Sequence, residues 1–170
     1  MQDFESVYKL MECSFPPEEH RGFTEQKALL NREDYLIQTY EEDGRVAAFC
    51  AIYSLPEFSF IEHIAVDEAF QGRGMGSKIM REIMAISDKP IVLEVEPPAE
   101  SEVAARRVSF YERLGFHLHD YPYEQPPLRP GAAPLPLQLM SYPRTYDAEA
   151  FDSIKQMILH HVYGERHLYR

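Results

Sequence analysis

Three glycines at alternate positions, Gly72, Gly74 and Gly76, lie in the stretch FQGRGMGSKIM (70–80), directly before a run of helix-forming residues. Glycine adopts positive φ angles that other residues avoid, so this spacing predicts a sharp turn from a strand into a helix. The first amides of a helix lack partners within it and carry a partial positive charge, so such a turn can bind phosphate. The simpler interpretation, in which the glycines only ease a corner, stays open from this stretch alone.

The spacing of the glycines disfavours two common phosphate motifs. A P-loop requires a Gly-Lys-Ser/Thr ending, and the dinucleotide motif G-x-G-x-x-G requires its third glycine one residue later than Gly76. Nucleotide hydrolysis and nicotinamide binding are therefore disfavoured as functions. Arg73 and Lys78 would add positive charge beside the turn.

The rest of the chain has the periodicity of a mixed α/β sheet. Apolar spacing, turn residues and cap residues predict these elements in order: helices over 4–15 and 24–31, two strands joined by a turn at 42–44, a strand over 58–66, a helix over 76–87, a strand after Pro90, a helix from Ser101 to Gly115, two strands separated by the proline-rich segment 126–136, and a last helix after Asp147. We expect one domain over residues 1–145 and a C-terminal amphipathic helix over 146–170, packed on that domain or at an interface.

Composition disfavours several classes of protein. Seventeen basic against 28 acidic residues give a formal charge of −11, the wrong sign for neutralising nucleic-acid phosphates. No apolar run approaches the roughly 18 residues that a membrane span needs, so we expect a cytoplasmic protein that binds neither nucleic acid nor membrane. Cys13 and Cys50 lack disulfide or zinc spacing, and His160, His161 and His167 lack metal-ligand spacing, so we expect no metal site.

Two motifs resemble signatures of the GNAT superfamily of N-acetyltransferases. Residues 71–76, QGRGMG, match its Gln/Arg-x-x-Gly-x-Gly/Ala turn, and RRVSFYERLGF (106–116) is similar to its second signature, a helix that closes on Leu-Gly-Phe. The resemblance covers about residues 2–143 and implies a central, mostly antiparallel sheet flanked by helices, with the C-terminal helix as an addition. It also implies that acetyl-CoA is the cosubstrate and that an amine is the acceptor.

The resemblance assigns a set of cofactor contacts. The turn would hold the pyrophosphate through its backbone amides, and the strand before it would pair with the pantetheine arm. The expected cofactor-binding residues are Ile64, Ala65, Val66, Gln71, Gly72, Arg73, Gly74, Met75, Gly76 and Ser77. One position departs from the family pattern, because Ala104 stands where many members carry an asparagine that contacts the cofactor arm.

Acetyl transfer to an amine needs a base and benefits from an acid. Tyr111 is the candidate acid, since a phenol of pKa about 10 can protonate a departing thiolate; the alternative is that Tyr111 is a core aromatic. Strand alternation places Glu62 on the same face as Ile64 and Val66, and we expect burial to raise its pKa toward the working range of a base. The alternative is a salt-bridged or solvated glutamate.

Other residues are weaker candidates for the site. His63 points to the opposite face of the strand from Glu62 and is expected in the core, whereas Glu94 and Glu96 are reserve bases or substrate ligands. The loop PPEEHRGF (16–23) lies where the family builds its acceptor site, which makes three residues candidate substrate contacts: Glu18, Glu19 and Arg21.

The acceptor is not readable from the sequence. We favour a small-molecule amine over a protein amine, because the net negative charge and the proline-rich loop suit a compact pocket for a cation. Two rivals stay open: a non-catalytic acyl-CoA-binding module, and an interaction protein assembled through the apolar stripe of the last helix. A homodimer also stays open. The stripe consists of Phe151, Ile154, Ile158 and Val162.

Overall fold

The computed structural model describes residues 3–164, which form two compact units. The first unit comprises the chain up to Ser54 together with Ile61–Ile86, and the second comprises Leu55–Phe60 together with the chain from Ser87. Within residues 3–164, seven β strands and five α helices are distributed between the units, so the predicted mixed α/β fold is confirmed. No helix among the described residues is both long and apolar enough to cross a membrane.

The first unit holds three helices and most of three strands. Its elements are α1 (Phe4–Ser14), α2 (Phe23–Ala28), β1 (Tyr35–Glu42), β2 (Arg45–Ser54), β3 (Ser59–Val66, of which Ile61–Val66 belongs to this unit) and α3 (Met75–Ile86). Helix α1 packs on β2. Helix α2 begins at Phe23, one residue before the predicted start at residue 24, and continues as a 3₁₀ turn over Leu29–Asn31.

The β1–β2 hairpin follows from its turn residues. Glu42 pairs with Arg45, so the loop contains only Asp43 and Gly44, whose φ angles are +53° and +76°. Positive φ at both positions is typical of a type I′ turn, whose twist matches that of antiparallel strands. The acidic residue plus glycine therefore sets the hairpin register, as predicted.

The second unit is built around one strand. Its elements are β4 (Ile91–Val95), α4 (Glu102–Arg113), β5 (His117–Leu118), β6 (Tyr123–Gln125), β7 (Leu135–Tyr142) and α5 (Ala148–His161). Strand β7 pairs antiparallel with each of β4, β5 and β6, and α4 packs on β4 and β5. The expected antiparallel pairing is confirmed here. Ser101 caps α4 as predicted, because its side-chain oxygen accepts a hydrogen bond from the Ala104 amide.

The apolar stripe of α5 is buried. Phe151, Ile154, Ile158 and Val162 are each at most 5% exposed, and the Phe151 ring packs against His119 and Tyr121 of the same unit. The stripe is therefore not exposed for contact with another protein, as the hypothesis of an interaction protein assembled through it requires. His160 and His161 lie in the last turn of α5, and His167 lies outside the described residues.

The last apolar residue of α3 does not belong to the core. Ile79, Met80 and Ile83 are buried, but Ile86 at the end of the helix is 77% exposed. The helix ends at this residue, so its last side chain extends into solvent instead of packing on the unit.

Ile158 of α5, which is buried, and Ile86 of α3, which is exposed, give a matched test of α5 docking. We expect Ile158→Ala to lower the free energy of unfolding by about 2–5 kcal/mol, because it removes a fully buried side chain and leaves a cavity. Ile86→Ala should change it by about 0.5 kcal/mol or less. Urea unfolding of both variants measures the difference; equal effects would mean that α5 is not docked.

Candidate active site

The glycine turn has the backbone conformation that its sequence predicts. Gly72 and Gly74 have φ angles of +78° and +75°, and α3 begins at Met75 directly after them. A Cβ atom added at either glycine would meet nothing within 4 Å. Conformation, and not crowding, is therefore the reason for glycine at these two positions.

Side chains and backbone hold the turn at the end of β3. The Gln71 side-chain amide donates to the Val66 carbonyl at 2.9 Å, and the Asp67 amide donates to the Ala47 carbonyl of β2 at 2.8 Å. Asp67 also caps the short 3₁₀ turn that follows it by accepting from the Ala69 amide. The orientation of the α3 N-terminus is thereby tied to the first unit's strands.

Positive charge surrounds this turn. The guanidinium groups of Arg45 and Arg73 lie over the Phe70 ring, 4.9 Å and 5.5 Å from its centre, and Arg73 is 3.9 Å from the Glu42 carboxylate. Residues 71–74 are exposed, whereas the first residues of α3 are half-buried. An exposed helix N-terminus with two nearby cations can accept an anionic group such as a pyrophosphate.

Glu62 on β3 forms a buried ion pair with Arg21. The Nη1 and Nη2 groups of the guanidinium donate to the two carboxylate oxygens at 2.8 Å and 3.1 Å. Both side chains are at most 3% exposed. Alternation along β3 is as predicted, because Ile64 and Val66 are half-buried while His63 and Ala65 are buried.

The predicted direction of the Glu62 pKa shift is wrong. Burial by itself raises the pKa of Glu62, but the charge of Arg21 and its hydrogen bonds outweigh this effect and hold the pKa below its usual value. The error has one physical cause. Alternation along a strand predicts which face a side chain lies on, but not which partner it contacts there. Glu62 is ionised at neutral pH and binds a proton weakly.

Arg21, the partner of Glu62, lies in the predicted substrate loop. Arg21 is 3% exposed, its carbonyl accepts from the Tyr8 hydroxyl at 2.9 Å, and its amide donates to the Gln26 side chain at 3.3 Å. Glu18 and Glu19 lie in a 3₁₀ turn, with Glu18 exposed and Glu19 half-buried. Arg21 is thus engaged with Glu62 and not exposed at the surface.

His63 is a buried histidine, as predicted. Its Nε2 lies 2.7 Å from the Glu19 carbonyl, which can only accept, so the ring carries its proton at Nε2. Its Nδ1 has no hydrogen-bond partner among the described residues and lies 3.5 Å from a Glu62 oxygen. Burial lowers the pKa of His63 against the opposing effect of Glu62, so the ring is neutral at pH 7.

Tyr111, the candidate acid, lies on α4 in the second unit. It is 9% exposed, and its ring packs edge-on against Phe110 and Phe116 at 5.1 Å and 5.7 Å between centres. The Tyr111 carbonyl accepts from the Leu114 and Phe116 amides, which close the helix. The ring is thus fixed by packing, and Ala104, at the departure from the family pattern, is buried on the same helix.

Glu94 on β4 is held by two phenols that the sequence did not indicate. The Tyr123 hydroxyl donates to Oε2 at 2.5 Å, and the Tyr163 hydroxyl donates to Oε1 and Oε2 at 2.7 Å and 2.8 Å. The tyrosines are 29 and 69 residues away along the chain, so no local spacing signals them. They make Glu94 a hydrogen-bonded carboxylate beside α4, which packs on β4.

The register of β7 explains the contact between Glu94 and Tyr123. Glu94 pairs with Leu139 and Tyr123 pairs with Leu137. Directly opposed residues of antiparallel strands point to the same face, and residues two apart on one strand also share a face. The two side chains are therefore placed on one face of the β7 sheet.

Among residues 3–164, no cluster of three or more His, Cys, Asp or Glu side chains could hold a metal ion.

Comparisons with known proteins agree on one family. The model of the Acetyltransferase (GNAT) family matches residues 4–116. A solved structure of a GNAT-family protein from Bacteroides thetaiotaomicron is 33% identical, with a TM-score of 0.87 over 96% of this chain and 93% of that one. A GNAT acetyltransferase from Elizabethkingia anophelis, solved with acetyl-CoA bound, is 17% identical with a TM-score of 0.56 over 79% of this chain and 88% of that one.

A curated relative is longer than the matched stretch. YjbC of Bacillus subtilis (strain 168), whose name provisionally assigns it to the acetyltransferases, is 29% identical over 110 residues. The match covers 64% of this chain and 55% of YjbC, so the chain spans about half the length of that relative.

The buried pair of the first unit can be tested by removing one charge. We expect Arg21→Met to lower the free energy of unfolding by about 3–5 kcal/mol, because it leaves the Glu62 carboxylate buried without its partner. Arg73→Met, which removes an arginine whose side chain is 59% exposed, should change it by about 1 kcal/mol or less.

The same urea unfolding series at pH 7 includes the double variant Arg21→Met, Glu62→Leu. It should regain much of the loss, because no uncompensated charge remains. A double variant as unstable as Arg21→Met would contradict the ion-pair explanation.

Proposed function

Because this chain belongs to the GNAT family of acetyltransferases, we propose that it transfers an acetyl group from acetyl-CoA to a primary amine. The observation that carries the proposal is the turn at Gly72 and Gly74, which has left-handed glycines and an exposed helix N-terminus within the family's own motif. The acetyl-CoA bound by the Elizabethkingia relative supports the choice of cosubstrate.

The turn and the strand before it are the proposed cofactor residues. The amides of Arg73, Gly74 and Gly76 would receive the pyrophosphate, with Met75 and Ser77 completing the first turn of α3. The other proposed contacts are Ile64, Ala65 and Val66 for the pantetheine arm and Gln71 and Gly72 for the shape of the turn. The Val66 carbonyl already accepts from Gln71, and its second lone pair could accept from the arm.

The reaction presents two proton transfers. It joins the amine nitrogen to the acetyl carbon and breaks the carbon–sulfur bond, so the nitrogen loses a proton and the sulfur gains one. An alkyl amine of pKa about 10.4 is neutral in only about one molecule in 2,500 at pH 7, so a carboxylate that takes its proton would accelerate the attack.

We assign the base to Glu94 in preference to Glu62. The Arg21 charge lowers the pKa of Glu62 and occupies both of its oxygens, which makes it a poor proton acceptor. Glu94 accepts hydrogen bonds from the Tyr123 and Tyr163 phenols, which hold its carboxylate in place. Glu62 would then act by positioning Arg21 and the loop that contains Glu18 and Glu19, the proposed acceptor loop.

Tyr111 is the proposed acid. Its phenol could donate a proton to the departing sulfur, and packing against Phe110 and Phe116 fixes the ring. Tyr111 and Glu94 lie on α4 and β4, which pack together within one unit. We further propose a small-molecule amine as acceptor, because the formal charge of −11 favours a cation.

A pair of glycine variants tests the cofactor site. A side chain at positive φ costs about 1–2 kcal/mol, and a free turn can relax away from that conformation. We therefore expect Gly74→Ala to weaken acetyl-CoA binding about 5- to 30-fold in calorimetric titration. Gly131→Ala, at a φ of +80° with equally open space, introduces the same strain outside the turn and should bind normally. Equal effects, or no binding to the wild type, would contradict the proposal.

Variants of the proposed acid and base separate an enzyme from a non-catalytic acyl-CoA-binding module. We expect Tyr111→Phe and Glu94→Gln each to lower kcat with a reactive amine about 10²-fold or more while leaving acetyl-CoA affinity nearly unchanged. Glu124→Gln, which alters an exposed carboxylate next to Tyr123, should keep wild-type turnover.

Two other outcomes have distinct meanings in that series. Loss on Glu62→Gln or Glu96→Gln with full activity of Glu94→Gln would move the base to that carboxylate. Tight acetyl-CoA binding without turnover of any amine would favour the module.

A further inference from the structure

The C-terminal segment, defined here as residues 162–164 directly after α5, contacts the proposed base. Tyr163 lies two residues beyond the end of α5, and its hydroxyl donates to both oxygens of Glu94, whereas the Tyr123 hydroxyl donates to Oε2. Both oxygens of the Glu94 carboxylate thus accept from phenol hydroxyls. These distances are in the range of strong hydrogen bonds to a charged oxygen.

Tyr163 is held in place by the docked helix. The Val162 and Tyr163 amides both donate to the Ile158 carbonyl, at 2.9 Å and 3.4 Å, so the segment continues directly from the last turn of α5. Ile158 is fully buried, and the Val162 and Tyr163 side chains are 4% and 2% exposed. The position of the Tyr163 hydroxyl therefore depends on the packing of α5.

Two bonds to one carboxylate restrict its rotation. A glutamate side chain has three rotatable bonds, and a base must hold its oxygen within hydrogen-bond reach of the proton it removes. Because Tyr163 bridges both oxygens, it fixes the plane of the carboxylate, and Tyr123 on β6 fixes one end of it. The strand register supplies Tyr123, but only the C-terminal segment supplies Tyr163.

We propose that Tyr163 is a positioning residue for Glu94, so that α5 and the segment after it form a working part of the acetyl-transfer site. This inference rests on the proposed function, in which Glu94 is the base. It extends the site beyond residues 4–116, the part that matches the family model. Tyr163 keeps its proton throughout and acts only by orienting the carboxylate.

A double-mutant cycle tests the proposal in the full-length protein. Tyr163→Phe removes only the hydroxyl, and we expect it to lower kcat with a reactive amine about tenfold or more, with an unchanged Kd for acetyl-CoA. Tyr121→Phe is the matched control, because its ring also packs on α5 through Phe151, and it should keep wild-type kcat. The variant Glu94→Gln, Tyr163→Phe should be no slower than Glu94→Gln alone, because Tyr163 acts through Glu94.

The outcomes distinguish this inference from the proposed function. Equal kcat values for Tyr163→Phe and Tyr121→Phe, or additive losses in the double variant, would overturn the positioning role while Glu94→Gln still identifies the base. Full activity of Glu94→Gln would overturn the base assignment and this inference with it. Thermal unfolding of each variant shows whether a loss of turnover follows from a loss of fold, which would also count against the positioning role.

Discussion

The antiparallel pairing of β7 is the constraint on which the second unit depends. This strand supplies backbone partners to β4, β5 and β6, and its register decides which side chains share a face. A slip of one residue would turn Glu94 away from Tyr123, because side chains alternate between faces along a strand. The contact between the Glu94 carboxylate and the Tyr123 phenol thus depends on Leu137 and Leu139 of β7 lying opposite Tyr123 and Glu94.

Glu62 and Glu94 have different chemical characters because their hydrogen-bond partners differ. Glu62 meets a guanidinium, whose positive charge outweighs the effect of burial and lowers the pKa of the carboxyl. Glu94 meets phenol hydroxyls, which orient a carboxylate without neutralising its charge. A carboxylate paired with arginine has little affinity for a proton. Identity of residue type therefore does not imply identity of role.

The C-terminal helix α5 is part of the second unit, although its sequence pattern also allowed it to be a separate addition. Its amphipathic pattern predicted the helix and its Asp147 cap, and both were confirmed. The same pattern could not distinguish docking on the chain's own strands from assembly with another protein, because burial of an apolar stripe is favourable in either case. The structure shows the stripe buried within the second unit, with Phe151 against His119 and Tyr121.

The sequence by itself determined the features that obey local rules. The hairpin turn at Asp43 and Gly44, the strand-to-helix turn at Gly72 and Gly74, and the caps of α4 and α5 all follow from the conformational preferences of a few adjacent residues. Tertiary structure alone decided the partners of the charged groups. Arg21 is 41 residues from Glu62, and Tyr163 is 69 residues from Glu94. The pKa and orientation of a buried carboxylate depend on the groups within a few ångströms of it, and chain folding, not sequence proximity, brings those groups together.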